Sequence, residues 1–201
     1  MTLEPVFRGT FAVQGYTEAA NVWTLVDGNN TWTFTEATGV LGLAAAASAY
    51  DSWASTMGLS VGVNDGTADN PDGDYLNNLA EFALDGDPLT AIHIHKIAYQ
   101  LATLGAEDAI TITTPVRNGA VFSGASEQVS ADIDGVIYRV RGSADLASWA
   151  LLVSEVTGGD ATTIQSGLPT LSSGWTYRTF RLADDIDNLT KGFLRLRVEQ
   201  P

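Results

Sequence analysis

The chain has 201 residues and is 45% hydrophobic, so it can bury a core either as one β-rich domain or as two small packed units. Its 24 acidic and 10 basic residues give a formal net charge of -14, which repels phosphate backbones and argues against nucleic acid as a partner. Cysteine is absent and no apolar run reaches the roughly 18 residues of a membrane span, so we expect no disulfide, no thiolate metal site and no membrane insertion.

The N-terminal part of the chain has the pattern of short antiparallel strands. Trp23 and Leu25 share one face of the first predicted strand, and Trp32 and Phe34 share one face of the second. An Asp-Gly-Asn-Asn stretch separates the two strands and indicates a hairpin turn. We therefore predict an N-terminal β-hairpin segment over residues 1–45.

A helical pattern follows, and we predict a separate segment over residues 46–90. The alanine-rich residues 44–57 predict a first helix because three apolar side chains are spaced three or four apart, namely Tyr50, Trp53 and Met57. A second short helix is marked by Leu76, Leu79, Phe82 and Ala83. An Asp/Asn/Gly-rich loop at residues 64–74 separates them, so the pattern is helix, acidic loop, helix.

From residue 91 onward the apolar pattern has a period of two, which predicts a C-terminal antiparallel β-domain over residues 91–201. The candidate strands cover residues 92–101, 109–116, 135–141, 175–182 and 192–199. In the last of these, Leu194, Leu196 and Val198 alternate with charged residues, as expected for a sheet with one buried face. The fold class predicted is mainly β, an antiparallel β-sandwich or jelly roll with a short helix–loop–helix insert.

The strongest chemical signal is NPDGDYLNNLAE at residues 70–81, which matches the twelve-position, EF-hand-like calcium loop. The six ligand positions are Asn70, Asp72, Asp74, the carbonyl of Leu76, Asn78 and Glu81. Alternate residues of a tight loop point their oxygens inward, and a glutamate at position twelve can chelate with both oxygens from the first turn of the next helix. The spacing therefore predicts a calcium ion about 2.4 Å from its oxygen ligands.

Two residues depart from the usual loop pattern. Asn70 offers a neutral oxygen where a carboxylate is usual, and Tyr75 occupies the position where glycine permits a sharp turn, so we expect modest affinity. Further oxygens are available nearby from Asp69, Asp85 and Asp87. The competing interpretation is a surface turn whose asparagines, Asn77 or Asn78, cap the second helix. The joint occurrence of ligand types at positions three, five, nine and twelve favours calcium, because a turn needs no such glutamate.

Residues 50–88, YDSWASTMGLSVGVNDGTADNPDGDYLNNLAEFALDGDP, resemble a segment near the C-termini of many large exported proteins of Verrucomicrobia and related bacteria, often downstream of autotransporter-associated β-strand repeats. In those proteins the pattern is an aromatic-rich helix, an Asp-x-Asp-Gly-Asp loop, then Asn-Leu-x-Glu-Tyr/Phe-Ala and a closing Asp-Pro. Residues 138–149, YRVRGSADLASW, are similar to the Ser-x-Asp-Leu-x-x-Trp signature of their β-domain. Residues 192–201 resemble their terminal strand, and residues 22–41 the stretch before their helix.

The resemblance implies an extracellular or cell-surface location, as part of a longer exported chain, and a structural or adhesive role at its C-terminal end. It implies no catalytic activity. The N-terminus lacks the basic flank and apolar run of a secretory signal, so an exported parent would make this chain a fragment. The residues themselves also predict no catalytic site, because there are two histidines, no cysteine and no Gly-x-Ser-x-Gly motif.

Three other groups of residues have both a structural and a functional interpretation. His93 and His95 suit a transition metal, but no third ligand is evident and a solvent-facing strand position explains them. Six arginines offer either a basic patch for an acidic glycan or partner subunit, or cross-strand ion pairs: Arg139, Arg141, Arg178, Arg181, Arg195 and Arg197. The aromatics suit a sugar-stacking platform or a core: Trp23, Trp32, Trp53, Trp149 and Trp175, with Tyr16, Tyr99 and Tyr177.

The leading function predicted is a non-catalytic, calcium-stabilised extracellular module. Two alternatives are open, a carbohydrate-binding module with exposed coplanar aromatics and a self-assembling fibre subunit that exchanges a strand through its N-terminal segment. The expected partners are accordingly a calcium ion and, in the alternatives, a glycan or other copies of the chain.

Overall fold

A computed structural model describes residues 16–27, 30–45, 47–91 and 96–201. The chain divides into two compact units, Met1–Ala47 and Ser48–Pro201. In the described part of the chain, no helix has the length and apolar character needed to cross a membrane.

The first unit contains a four-stranded antiparallel sheet in the order β1-β2-β3-β4. Its strands are β1 Thr17–Ala19, β2 Val22–Asp27, β3 Asn30–Thr35 and β4 Val40–Ala45. Trp23 pairs with Phe34, and Leu25 pairs with Trp32, across β2 and β3. The predicted pairing of these two segments is confirmed. The tip of their turn, residues 28–29, lies outside the described residues.

The second unit begins with two short helices, α1 Ala49–Thr56 and α2 Asn78–Leu84. The prediction that the first helix spans residues 44–57 was wrong at its start, because Ala44 and Ala45 belong to β4 and pair with β3. Helix α1 begins where Ser48 and Asp51 form a reciprocal capping box. Local capping therefore outweighs the helix propensity of the preceding alanines.

In the described residues that follow, eight strands form two four-stranded antiparallel sheets, β10-β11-β6-β5 and β12-β9-β8-β7. Their bounds are β5 Ala98–Leu104, β6 Glu107–Arg117, β7 Phe122–Ser123, β8 Glu127–Ser130, β9 Ile137–Ser143, β10 Val153–Val156, β11 Trp175–Leu182 and β12 Phe193–Glu199. A third helix, α3 Gly158–Ile164, and a short 3-10 helix, Ile186–Asn188, complete the unit. The prediction of a strand over residues 92–101 was wrong in its bounds, because β5 begins at Ala98; residues 92–95 lie outside the described residues.

The two sheets of the second unit enclose a core of side chains from both, which include Ile112 and Phe180 from one sheet and Val140 from the other. Each of these three residues is fully buried. The fold is mainly β and antiparallel, with a sandwich arrangement of two sheets, as predicted. A second cluster, which includes Trp53, Phe82 and Tyr138, lies where α1 and α2 pack against the sandwich.

Helix α2 is attached to the sandwich by buried polar contacts at its C-terminal end. The Tyr138 hydroxyl donates a hydrogen bond to the Ala83 carbonyl over 2.7 Å, and the Trp175 indole N–H donates to the Phe82 carbonyl over 2.9 Å. Asp85, in left-handed conformation at the helix end, forms a 2.6 Å ion pair with Lys96 and accepts a hydrogen bond from the Ser172 backbone N–H. These contacts hold the backbone of α2, which carries Glu81, against the sandwich.

Candidate metal centre

Glu81 is held in a buried position by the start of α2. The Asn77 side chain caps the helix by accepting a hydrogen bond from the Ala80 backbone N–H over 3.0 Å. Because the helix begins at Asn78 rather than at Leu76, Glu81 falls in the first turn, as the loop alignment requires. Its side chain is buried, with 1% of the residue exposed.

The loop before α2 brings two further carboxylates to Glu81. One carboxylate oxygen each from Asp72, Asp74 and Glu81 lie within 4.8 Å of one another. Calcium binds oxygens at about 2.3–2.6 Å, so two ligands on opposite sides of one ion are about 5 Å apart. The three carboxylates therefore fit the coordination sphere of a single cation.

Hydrogen bonding independently supports a cation at this cluster. Glu81 Oε2 and Asp72 Oδ2 are buried and have no hydrogen-bond partner among the described residues. A buried polar atom without a partner typically costs about 1–3 kcal/mol, and a charged one costs more. A bound cation would supply the partner that both oxygens lack.

Burial and neighbouring carboxylates both oppose ionisation of Glu81. Burial, followed by the charges of Asp72, Asp74 and Asp87, raises the pKa of the Glu81 carboxyl from 4.5 to about 8. Three other carboxylates thus oppose ionisation of a group that is already removed from water. A divalent cation would reverse this balance, because its charge favours the ionised form.

This raised pKa predicts how the metal-free protein responds to pH. Between pH 4.5 and about 8 the unfolded chain has released the Glu81 proton while the folded chain retains it. Folded-state stability is therefore greatest near the acidic end of this window and falls as pH rises, by up to about 1.4 kcal/mol per pH unit. Urea unfolding in chelator across this pH range measures the slope; a stability that rises steadily with pH would contradict it.

Asn70, at the first ligand position, forms hydrogen bonds that stabilise the loop. Its Oδ1 accepts a hydrogen bond from the Gly73 backbone N–H over 2.9 Å, and its Nδ2 donates to the Asp74 carbonyl over 2.7 Å. Gly73 has a φ of +76°, so the left-handed residue of this loop is at position four. The turn therefore does not require glycine at position six, and Tyr75 is accommodated there with an exposed side chain. Because an amide oxygen has two lone pairs, coordination by Asn70 stays a prediction.

Asn78 connects α2 to the preceding loop. It is fully buried, and its Nδ2 donates to the carbonyls of Asn64 and Gly66, each over 2.9 Å. Its Oδ1 is buried and has no hydrogen-bond partner among the described residues. The loop alignment identified Asn78 only as a ligand, and nothing in the spacing indicated that its amide N–H groups hold residues 64–66.

The other residues of the loop region are engaged in local contacts. The Leu76 backbone N–H donates to Asp74 Oδ1, and Asp69 Oδ2 accepts from the Gly66 backbone N–H over 2.8 Å. Asp87 accepts from the Leu89 backbone N–H and the Thr90 hydroxyl. Asp85 binds Lys96 and the backbone of Ser172, so its carboxylate serves the junction between α2 and the sandwich. Three predicted ligands, Asp72, Asp74 and Glu81, are thus brought together.

The Ser-x-Asp-Leu-x-x-Trp segment has a structural explanation. Asp145 Oδ1 accepts hydrogen bonds from the backbone N–H groups of Ala147 and Ser148, and the Ser143 hydroxyl accepts from those of Asp145 and Leu146. The N–H groups of Ser148 and Ala147 also lower the pKa of the Asp145 carboxyl. The segment is therefore a side-chain-stabilised turn that follows β9.

The candidate metal pair His93 and His95 lies outside the described residues.

The acidic loop is the feature from which a function can be argued. The clustering of its three carboxylates and the burial of their oxygens are observed in this chain itself and do not depend on similarity to another protein. The resemblance to exported bacterial proteins stays a prediction. Comparison of the chain with protein-family models, with curated proteins and with solved structures gave no match.

Proposed function

We propose that this chain is a non-catalytic, calcium-stabilised structural or adhesive module. The observation that supports the proposal most directly is Glu81, a buried carboxylate next to Asp72 and Asp74 whose Oε2 has no hydrogen-bond partner among the described residues. An arrangement of this kind is costly without a cation and favourable with one.

Calcium suits the ligand set better than other common metals do. The candidate ligands are all carboxylate, amide or carbonyl oxygens, which hard cations prefer, whereas zinc and copper favour nitrogen and sulfur. Magnesium requires a smaller, nearly ideal octahedral shell and usually keeps several waters, whereas calcium accepts a larger and less regular set of oxygen ligands. With three carboxylates and two neutral side chains, the site fits the weak end of calcium affinities, about 10⁻⁴–10⁻³ M, typical of extracellular modules.

The ion would join a long loop to the β-sandwich. Residues 57–77 contain no helix or strand. Hydrogen bonds from outside the loop hold it in place: the Asn78 amide donates to the Asn64 carbonyl, and the Tyr50 hydroxyl donates to the Asp65 carbonyl, each over 2.9 Å. Calcium held by Asp72, Asp74 and Glu81 adds a further attachment at α2, which is itself bound to the sandwich. An extracellular location at the C-terminal end of a longer surface protein is part of the proposal and is supported by the resemblance of residues 50–88.

Thermal unfolding with and without calcium tests the proposal. We expect the melting temperature to be higher in millimolar calcium than in chelator, because an ion that binds only the folded state stabilises it by RT ln(1 + [L]/Kd). At a concentration about ten times Kd this amounts to about 1.4 kcal/mol. Magnesium at the same concentration serves as the control and should produce a much smaller shift.

The increase should be saturable, and its midpoint gives the affinity. Isothermal titration at constant pH should give one calcium per chain, with affinity that decreases when Asp72 is replaced by asparagine. A melting temperature that is the same in calcium and in chelator would show that the loop is a surface turn.

A further inference from the structure

Four arginines lie on one face of the sheet β12-β9-β8-β7. Arg139 and Arg141 are on β9, and Arg195 and Arg197 are on β12. The register places Arg195 directly opposite Arg141 and Arg197 directly opposite Arg139. Directly opposed like charges destabilise an antiparallel pair. Two such pairs side by side, in a chain with a net charge of -14, call for a compensating anion.

Carboxylates of the same face compensate only part of this charge. Glu127 forms ion pairs with both Arg139 and Arg141, and Glu199 lies 3.5 Å from both Arg139 and Arg197. Three guanidinium groups therefore share two carboxylates and the fourth has none, which leaves the described arginine face with two positive charges in excess. Among the described residues, Arg195 forms no ion pair with a carboxylate.

Arg195 is also fixed in place. Its guanidinium carbon lies 3.8 Å from the centre of the Trp149 ring, and its Nε is buried without a hydrogen-bond partner among the described residues. Partial burial and the neighbouring charges of Arg141 and Arg197 lower the pKa of the Arg195 guanidinium. Arg195 thus combines a stacked guanidinium, an Nε that has lost water, and two neighbouring arginines whose charge an anion would offset.

We propose that the arginine face binds an anionic polysaccharide, with one carboxylate or sulfate group placed between Arg195 and Arg141 and the next near Arg197 and Arg139. Residues two apart on a strand are separated by about 6.8 Å, so the two arginine pairs form a ladder of two steps at this separation. A linear polymer with repeated charges matches this ladder, and an Arg guanidinium binds carboxylate or sulfate through two parallel hydrogen bonds. A second copy of the chain is the alternative occupant of this face, and sedimentation distinguishes it from a polysaccharide.

Affinity electrophoresis in native gels tests this inference. Hyaluronate, a carboxylate polymer, and chondroitin sulfate are embedded in separate gels at low ionic strength, with neutral dextran as the reference and calcium present throughout. We expect both anionic polymers to retard the protein relative to dextran, and added salt to abolish the retardation. Replacing both Arg141 and Arg195 by glutamine should weaken binding by about tenfold per arginine.

Lys191 provides the matched control, because it is exposed, lies just before β12 and carries the same charge. Lys191→Gln should change polymer binding by less than about twofold, since a single exposed charge contributes little. If the double variant is unstable by circular dichroism, Arg197→Gln replaces it, because that side chain is 53% exposed.

Three results would overturn the inference. One is the absence of retardation by either polymer at low salt, and another is equal retardation of the Arg141/Arg195 variant and the Lys191 variant. The third is a dimer of the wild-type chain, seen in sedimentation at increasing concentration, that the Arg141/Arg195 variant does not form. Because calcium is present in every gel and the variants retain the acidic loop, failure of this inference leaves the proposed calcium function unaffected.

Discussion

Replacing Glu81 by glutamine is expected to raise the stability of the metal-free protein and to lower that of the calcium-bound protein. In chelator at pH 7, folding of the wild type requires Glu81 to take up a proton, because its pKa rises from 4.5 to about 8. This requirement costs about 3 kcal/mol, which a neutral glutamine avoids. In calcium, the same substitution removes the buried carboxylate that we propose as a ligand, and with it the stabilisation expected from the ion. One substitution therefore has opposite effects under the two conditions.

Urea unfolding of Glu81→Gln in chelator and in calcium measures both effects. Glu107→Gln is the matched control, because that side chain is 54% exposed and forms a surface ion pair with Arg181. We expect the control to change stability by less than about 1 kcal/mol in either buffer. A Glu81→Gln variant that is destabilised equally in chelator and in calcium would indicate a packing role for Glu81 and no metal.

Long strands could be predicted from the sequence, whereas short ones could not. The predicted strand at residues 175–182 has the bounds of β11, because its eight residues are rich in the aromatic side chains and threonines that favour strands. Strand β7 has two residues and β8 has four, too few for a period to be distinguished from chance. Helix α3 begins with two glycines, which indicate a turn in isolation. Tertiary packing determines these elements.

The candidate site shows the same division between local and non-local information. The spacing of Asp72, Asp74 and Glu81 is local, so the sequence was sufficient to predict their convergence. The anchoring of α2 depends on Tyr138 and Trp175, which are distant in sequence, and no local pattern connects them with Ala83 or Phe82. The opposed arginine pairs likewise depend on the register between β9 and β12, which sequence alone does not specify.

Replacing Phe82 by alanine is expected to destabilise the second unit strongly and also to weaken calcium binding. Phe82 is fully buried, and its ring centre lies 5.4 Å from that of Trp53 and 5.5 Å from that of Tyr50. The Arg117 guanidinium carbon lies 4.8 Å from the same ring centre. Truncation leaves a cavity among these side chains, and a buried phenylalanine replaced by alanine typically costs about 3–5 kcal/mol.

The effect on calcium follows from the position of Phe82 beside Glu81 on α2. If α2 packs less firmly, ion binding must also order the helix, which costs conformational entropy. This cost reduces the net free energy of calcium binding, and we expect the affinity to fall by about fivefold or more. Phe180→Ala is the matched control, because Phe180 is equally buried but belongs to the core between the two sheets. Both variants should lose similar stability in urea, while calorimetric titration of the folded proteins should show weaker calcium binding only for Phe82→Ala. Equal calcium affinities in the two variants would mean that the packing of α2 does not contribute to calcium binding at the candidate metal centre.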